Sequence, residues 1–434
     1  LEILRNLITK KYLKNTSWLF LDKLAKILFG FIVGAIVARY LGPSNFGLYS
    51  YAITLVSLIM SIAPLGLNSI LVKEFLNNKS QSYIIAGTAI RLIFLSTITL
   101  LITTLILNET FILDSELRNI ILILAFSNLF SFLNVIDFFF QSKVLSKYVI
   151  YSSITSLLIS SLYKLYLVSS ESTLLYFALS ILLERLLFYA FMSYHYIKYD
   201  TNFKIVLLKF KPLIAKKLLK NSWPLILNAI IITLYMKIDQ VMIKNMIGDQ
   251  ANGFYSSAVR ISESIYFIPV ILTSSFFPAL LNAKKISDNL YIKRFEKLSS
   301  LLLLISSIFC ILITLYAENI IALLYGEEFL EAASVLKIHA WSAPFVFFGV
   351  LGSKWFIIEN KTKLGVFRTL LGLFSNVLLN MFLIPFYGIN GSALATLLSY
   401  FIAGFISDLL LKETLVLFKI KICSFNFLKL LKQI

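Results

Sequence analysis

Apolar residues run along this chain in stretches of about 20–28 positions without alternation, separated by short polar segments. A helix needs ~20 apolar residues to cross a hydrocarbon core. A membrane barrel would show ~10-residue segments of alternating polarity instead. The pattern predicts an all-α integral membrane protein with twelve spans, at about 16–41, 48–73, 82–107, 119–141, 148–169, 172–196, 222–246, 252–280, 298–318, 333–358, 364–386 and 390–412. Only short turns separate the neighbours at Ser170 and at Tyr387.

The polar segments orient these spans. Basic residues collect in alternate loops: Lys73 and Lys79, Lys143 and Lys147, a central run from Lys198 to Lys220, Lys284 to Lys297, Lys361 to Arg368, and the C-terminal tail. The intervening loops carry Glu109, Asp114 and Glu116, and Glu318, Glu327, Glu328 and Glu331. Cytoplasmic loops are the basic ones, so both termini are expected in the cytoplasm. The first run is longer and more charged than a signal peptide's apolar core and is read as a retained first span. The expected division is an N-terminal six-helix lobe (1–196), a basic cytoplasmic linker (197–221), a C-terminal six-helix lobe (222–412) and a cytoplasmic tail (413–434). The linker reads equally as an amphipathic helix at the inner surface or as a plain connection.

Composition agrees with the pattern. The chain of 434 residues is 59% hydrophobic and only 14% charged, against about 45–50% apolar for soluble domains. Its net charge of +18 is accounted for by the basic loops, so no nucleic-acid partner is expected. Two cysteines, Cys310 and Cys423, imply no disulfide or metal framework.

The two halves repeat one another. Gly42, Gly47, Tyr49, Ser50 and Ala52 recur as Gly248, Gly253, Tyr255, Ser256 and Ala258, an offset of 206 throughout. Trp18 and Trp223 differ by 205, as do Pro64 and Pro269. Six spans per half make the repeat parallel, an arrangement that leaves a central cavity for alternating access. Pro64 and Pro269 fall inside the second span of each half, where a proline serves as a hinge or as a fixed kink.

No nucleotide-binding, hydrolase or metal-ligand motif is present, so no catalytic residue, metal or cofactor is expected. The chemistry lies in charges within the spans. Each costs about 2.5–3.5 kcal/mol at mid-bilayer and so faces a cavity or a partner. Eight are basic (Lys23, Lys26, Arg91, Lys164, Arg185, Lys237, Arg260, Lys354) and four acidic (Asp22, Glu184, Asp239, Glu263). The surplus of positive charge points to a cationic cavity for a bulky anionic solute, lined by Lys26, Arg91, Lys237, Arg260, Lys164 and Lys354. Lys164 and Lys354, nearer span ends, read equally as snorkelling side chains. Asp22, Asp239 and Glu263 are the candidates for coupling to a proton or sodium gradient.

The stretches Ser17-Trp18-Leu19-Phe20-Leu21-Asp22-Lys23 and Val37-Ala38-Arg39-Tyr40-Leu41-Gly42-Pro43-Ser44-Asn45-Phe46-Gly47-Leu48-Tyr49, with the second-half Lys237-Ile238-Asp239-Gln240-Val241-Met242 and Gly253-Phe254-Tyr255, resemble the Wzx-type O-antigen flippases of polysaccharide biosynthesis. That family belongs to the multidrug/oligosaccharidyl-lipid/polysaccharide exporter superfamily. The resemblance implies two six-helix lobes around a central cavity, and a substrate consisting of an undecaprenyl-pyrophosphate-linked oligosaccharide turned across a bacterial inner membrane. It also implies membrane lipids, a polysaccharide polymerase and a chain-length regulator as partners. A multidrug antiporter, a peptidoglycan-precursor flippase and a membrane-embedded glycosyltransferase or polymerase are the rival readings. The cationic surplus, the absence of two extra spans and the short outer loops count against them in turn.

Overall fold

The computed structural model describes residues 2–199 and 209–425, with residues 2–17, 19, 20 and 79 described as backbone only. All regular structure among the described residues is helical. In order the helices are α1 (Glu2–Met60), α2 (Asn68–Asn77), α3 (Ser82–Phe111), α4 (Ser115–Phe126), α5 (Asn134–Ser142), α6 (Lys147–Ser169), α7 (Leu174–Tyr199), α8 (Pro212–Met246), α9 (Asp249–Ser262), α10 (Phe267–Ile286), α11 (Asp288–Tyr325), α12 (Ala332–His339), α13 (Ala343–Ile358), α14 (Thr362–Gly404) and α15 (Leu415–Cys423). Nine helical stretches among the described residues are long and apolar enough to cross a bilayer. The twelve-span reading divides two of them, Leu21–Met60 and Thr362–Leu409, and adds α6. Those two stretches kink at Gly42 (φ 72°) and Gly388 (φ 58°).

Five expected spans are not continuous helices; in one of them, 390–412, the helix ends at Gly404 and 3-10 turns follow at Ile406–Leu409 and Lys412–Thr414. Span 48–73 ends its helix at Met60 and restarts at Asn68, and span 119–141 is interrupted by a 3-10 turn at Leu129–Leu133. Spans 252–280 and 333–358 are interrupted at Glu263–Tyr266 and Ala340–Ser342. Pro64 therefore lies in the turn before α2, where Leu65 and Gly66 have positive φ, and not inside a helix. Pro269 is the third residue of α10, a first-turn position where its missing N–H leaves no broken bond. Both prolines sit where the helix already breaks.

Contacts divide the chain into two compact units, 1–41 with 48–233, and 42–47 with 234–434. The first has a core of Leu71, Phe75, Ala89, Ile93, Phe139, Phe140 and Met192. Within it α6 turns buried Ser152, Ser153, Ser156, Ser160 and Ser161 to one side. Small residues on one helix face permit close packing between spans. The second unit centres on Phe295, Leu302, Cys310, Phe347, Leu351 and Leu417. Part of the expected linker, 200–208, lies outside the described residues, as do residues 426–434 of the tail. Lys216, Lys217 and Lys220 stand on α8, and Lys217 pairs with Glu74 at 2.9 Å.

The repeated elbow meets its copy within the second unit. A Cβ added at Gly253 would lie 1.9 Å from the Pro43 carbonyl oxygen, and one at Gly47 would lie 1.8 Å from that of Asp249. The contacts are related by the repeat, since each glycine receives the carbonyl four residues before its counterpart. Asn252 Nδ2 closes the junction by donating to the Gly47 carbonyl at 2.8 Å. Glycine lets backbones approach this closely.

The tail is not a free appendage. Leu417, Ile420 and Lys421 of α15 are buried, and Lys421 donates to Asp408 Oδ2 (2.5 Å) and to the Gly404 carbonyl (2.6 Å). Burial pulls the Lys421 ammonium down to about 8, against the pull of the Asp408 carboxylate. The unfolded chain then holds this proton more tightly, so stability rises with pH between about 8 and the ordinary lysine value. Lys421→Met should remove that rise. It should also cost about 3–5 kcal/mol by stranding Asp408, whereas Lys421→Met with Asp408→Leu should cost far less. Thermal unfolding across pH reads both.

Candidate functional site

The second unit buries a carboxylate among neutral donors. α8 carries Asp239 one turn beyond Tyr235, α9 supplies Tyr255, and α14 supplies Asn376 and Asn380 before its kink and Thr396 and Ser399 after it. Asp239, 4% exposed, accepts from the Tyr255 hydroxyl (2.7 Å) and the Thr396 hydroxyl (2.6 Å) at one oxygen. Its other oxygen accepts from Asn380 Nδ2 at 2.8 Å. Asn380 Nδ2 also reaches Asn376 Oδ1 at 3.1 Å, and the Tyr235 hydroxyl donates to Ser399 at 3.3 Å. No cationic side chain is among the described partners of Asp239. Asn380 Oδ1 and Ser392 Oγ are buried beside this network without a hydrogen bond. Several oxygens thus converge on a buried carboxylate, the donor type that hard cations take.

The first unit holds a second polar site. A cavity of about 260 Å³ has Lys26, Asn134, Ser153, Ser156, Glu184 and Arg185 among its lining residues. Lys26 donates to Asp22 Oδ2 at 2.8 Å, and the other Asp22 oxygen is buried with no partner. Glu184 accepts from Ser160 (3.0 Å) and Lys164 (3.2 Å). Lys164 is therefore tied to a carboxylate rather than snorkelling. Arg185 and Asn134 adjoin the buried Tyr189 hydroxyl.

The remaining expected residues lie elsewhere. Arg91 is half-buried over the Phe210 ring, 5.6 Å from its centroid. Lys354 donates to Ser274 at 3.3 Å and lies over Phe277. Lys237 is half-buried, and its charge and that of Asp239 act on Glu263. Arg260 is exposed near Tyr325.

Sequence reasoning missed Asp137, a carboxylate inside the fourth span that holds Gln141 at 3.0 Å and feels both Lys26 and Asp22. Added to the twelve candidate charges, it makes five acids against eight bases, and the candidates' surplus of four falls to three. An acid within a run of phenylalanines was the available signal. Asn376 and Asn380, spaced i, i+4 on one helix, were the signal for the polar centre. His339 of α12 is 1% exposed and bonded to Ser262 at 2.7 Å.

Comparison with known proteins gives these sites a context. Residues 12–284 match the family described as polysaccharide biosynthesis protein. The chain belongs to that family. Residues 224–382 also match MatE. Among curated members of similar sequence is the capsular polysaccharide biosynthesis protein CapF of Staphylococcus aureus, 23% identical over 401 residues, covering 90% of this chain and 96% of CapF. The fold is shared with the lipid II flippase MurJ in an inward closed conformation (TM-score 0.71, 16% identity, 95% of this chain and 91% of MurJ). It is shared too with an inward-facing multidrug resistance MATE transporter of the MOP superfamily (TM-score 0.67, 15% identity, 93% of this chain and 96% of that one). This polysaccharide biosynthesis family member is thus an all-α, multi-pass membrane protein with the fold that those two structures share.

Proposed function

We propose that the protein is a flippase for a lipid-linked oligosaccharide. It would turn an undecaprenyl-pyrophosphate-linked repeat unit from the inner to the outer leaflet of the bacterial inner membrane by alternating access, with both termini in the cytoplasm. Polysaccharide polymerase and chain-length regulator would act on or with its product. The observation that carries this reading is membership of a polysaccharide biosynthesis family on a fold that a lipid II flippase also has. The polar cavity at Lys26 and Arg185 suits a charged, hydroxyl-rich head group. Arg91 and Lys164 in the first unit, and Lys237, Arg260 and Lys354 in the second, are the further candidate cations for an anionic head group. The protein would act as a transporter and not an enzyme.

Transport uphill needs a gradient. Asp239 would couple to it by taking up a proton or a sodium ion, with Asn376, Asn380 and Thr396 as oxygen donors. Asp22, paired with Lys26, and Glu263, beside Lys237, already have a cation to hand and are weaker carriers. A multidrug antiporter is the second reading, favoured by the MatE match at 224–382.

Deletion of the gene should accumulate lipid-linked repeat units in the cell and remove surface polysaccharide. Unchanged repeat units together with increased drug sensitivity would favour the antiporter. Lys26→Ala and Arg260→Ala should each lose surface polysaccharide while the protein still inserts. Normal polysaccharide in both would remove these cations from the account.

A further inference from the structure

The hairpin of α10 and α11 carries a groove of about 440 Å³ that none of the proposed transport steps uses. Its walls are Phe276 and Leu280 from α10 and Leu298 and Leu301 from α11, and its charged lining residues are Arg294 and Lys297, with no acid. Arg294 and Lys297 stand three apart on one helix and so share a face. Arg294 ties one N–H to the Ala279 carbonyl across the groove at 2.7 Å.

The groove is graded along its length. At ~1.5 Å per residue, Arg294 and Lys297 lie ~9 and ~14 Å from the start of α11, whereas Leu301 lies ~20 Å from it. α11 has 38 residues, about 57 Å of helix, well beyond the ~30 Å of a hydrocarbon core. Its charges are confined to Asp288–Lys297 at this end, and none recurs before Glu318. The cations therefore stand at the head-group level, and the apolar walls continue into the bilayer. A cationic mouth above an apolar channel matches an amphiphile with an anionic head.

We propose that this groove is a binding site for an anionic phospholipid. Its phosphate is held by Arg294 and Lys297, and its acyl chain lies over Phe276, Leu280 and Leu301. Zwitterionic lipid offers the same chain but no net charge for the two cations to recognise.

The test uses the full chain reconstituted into vesicles containing a trace of phosphatidylglycerol or phosphatidylcholine with a photoreactive acyl chain. Labelled peptides covering 276–301 should favour phosphatidylglycerol roughly tenfold. Arg294→Gln with Lys297→Gln should reduce that labelling to the phosphatidylcholine level, while labelling of the other apolar helices stays constant. Equal labelling by the two lipids in the unaltered chain would overturn the proposal, and so would undiminished preference in the double variant. If the double variant does not reconstitute, the comparison of the two lipids in the unaltered chain decides alone.

Discussion

Gly253→Ala is expected to destabilise the protein severely and to abolish surface polysaccharide. Its new methyl would sit 1.9 Å from the Pro43 carbonyl oxygen, and the obstacle is backbone, which no rotamer change can move aside. Overpacking of a close contact costs about 1–3 kcal/mol, occasionally more, and here two helix starts must shift together. Gly47→Ala meets the Asp249 carbonyl in the same way. Because both glycines serve one junction, the double variant should lose much less than the sum of the two single losses. Gly349→Ala is the control: it lies in α13 with no atom within 4 Å of its added carbon. That variant should be neutral or slightly stabilised, since alanine is the better helix former by about 0.5–1 kcal/mol. Thermal unfolding in detergent distinguishes the three.

Asp239→Ala should be strongly damaging in the second unit. It removes the acceptor shared by the Tyr255 and Thr396 hydroxyls and Asn380 Nδ2. Asn380 Nδ2 keeps Asn376 and the Thr396 hydroxyl keeps the Ser392 carbonyl, so the loss falls mainly on the buried Tyr255 hydroxyl, at about 1–3 kcal/mol. Asp239→Asn is the more informative variant, because it nearly keeps the shape and retains one acceptor oxygen. It should fold and insert, yet transport should no longer respond to an imposed ion gradient. If Asp239→Asn retains full gradient-dependent transport, the carboxylate is a structural acceptor and the coupling proposal fails.

The broad architecture was legible because hydropathy reports burial in lipid directly. The elbow was legible as a repeat, for Gly42 and Gly47 recur in register at Gly248 and Gly253. Why glycine stands there was not, since the reason is a backbone contact between segments two hundred residues apart. The breaks at 61–67 and at Glu263–Tyr266 were hidden for another cause. The turn at 61–67 is mostly apolar and reads as helix by hydropathy, a single 3-10 turn such as Glu263–Tyr266 leaves no mark in composition, and Pro64 and Pro269 marked the place without revealing that the helix ends.

The candidate sites were half visible. Charges stand out in an apolar run, so Asp22, Lys26, Lys164, Glu184 and Asp239 were found. Asp22 and Lys26, four apart on one helix, pair as their spacing implies, whereas a pair such as Lys164 and Glu184 depends on how two helices pack. Asn376, Asn380 and Thr396 carry no charge and raise no alarm by composition. Only the fold of α14 onto α8 shows that they surround Asp239. Asp408 and Lys421 were read as the end of a span and part of a tail, yet they form a buried pair that fastens α15 to the second unit.

The central claim is that this chain moves a polyprenyl-pyrophosphate-linked oligosaccharide between leaflets, and proteoliposomes test it directly. The full chain would be reconstituted with a fluorescent lipid-linked oligosaccharide in the inner leaflet, and the glycan reaching the outer leaflet would be captured by a lectin. The account predicts capture that requires the protein, accelerates with an imposed proton or sodium gradient, and loses that acceleration in Asp239→Asn. Capture no faster than in protein-free vesicles, under either gradient, would contradict it.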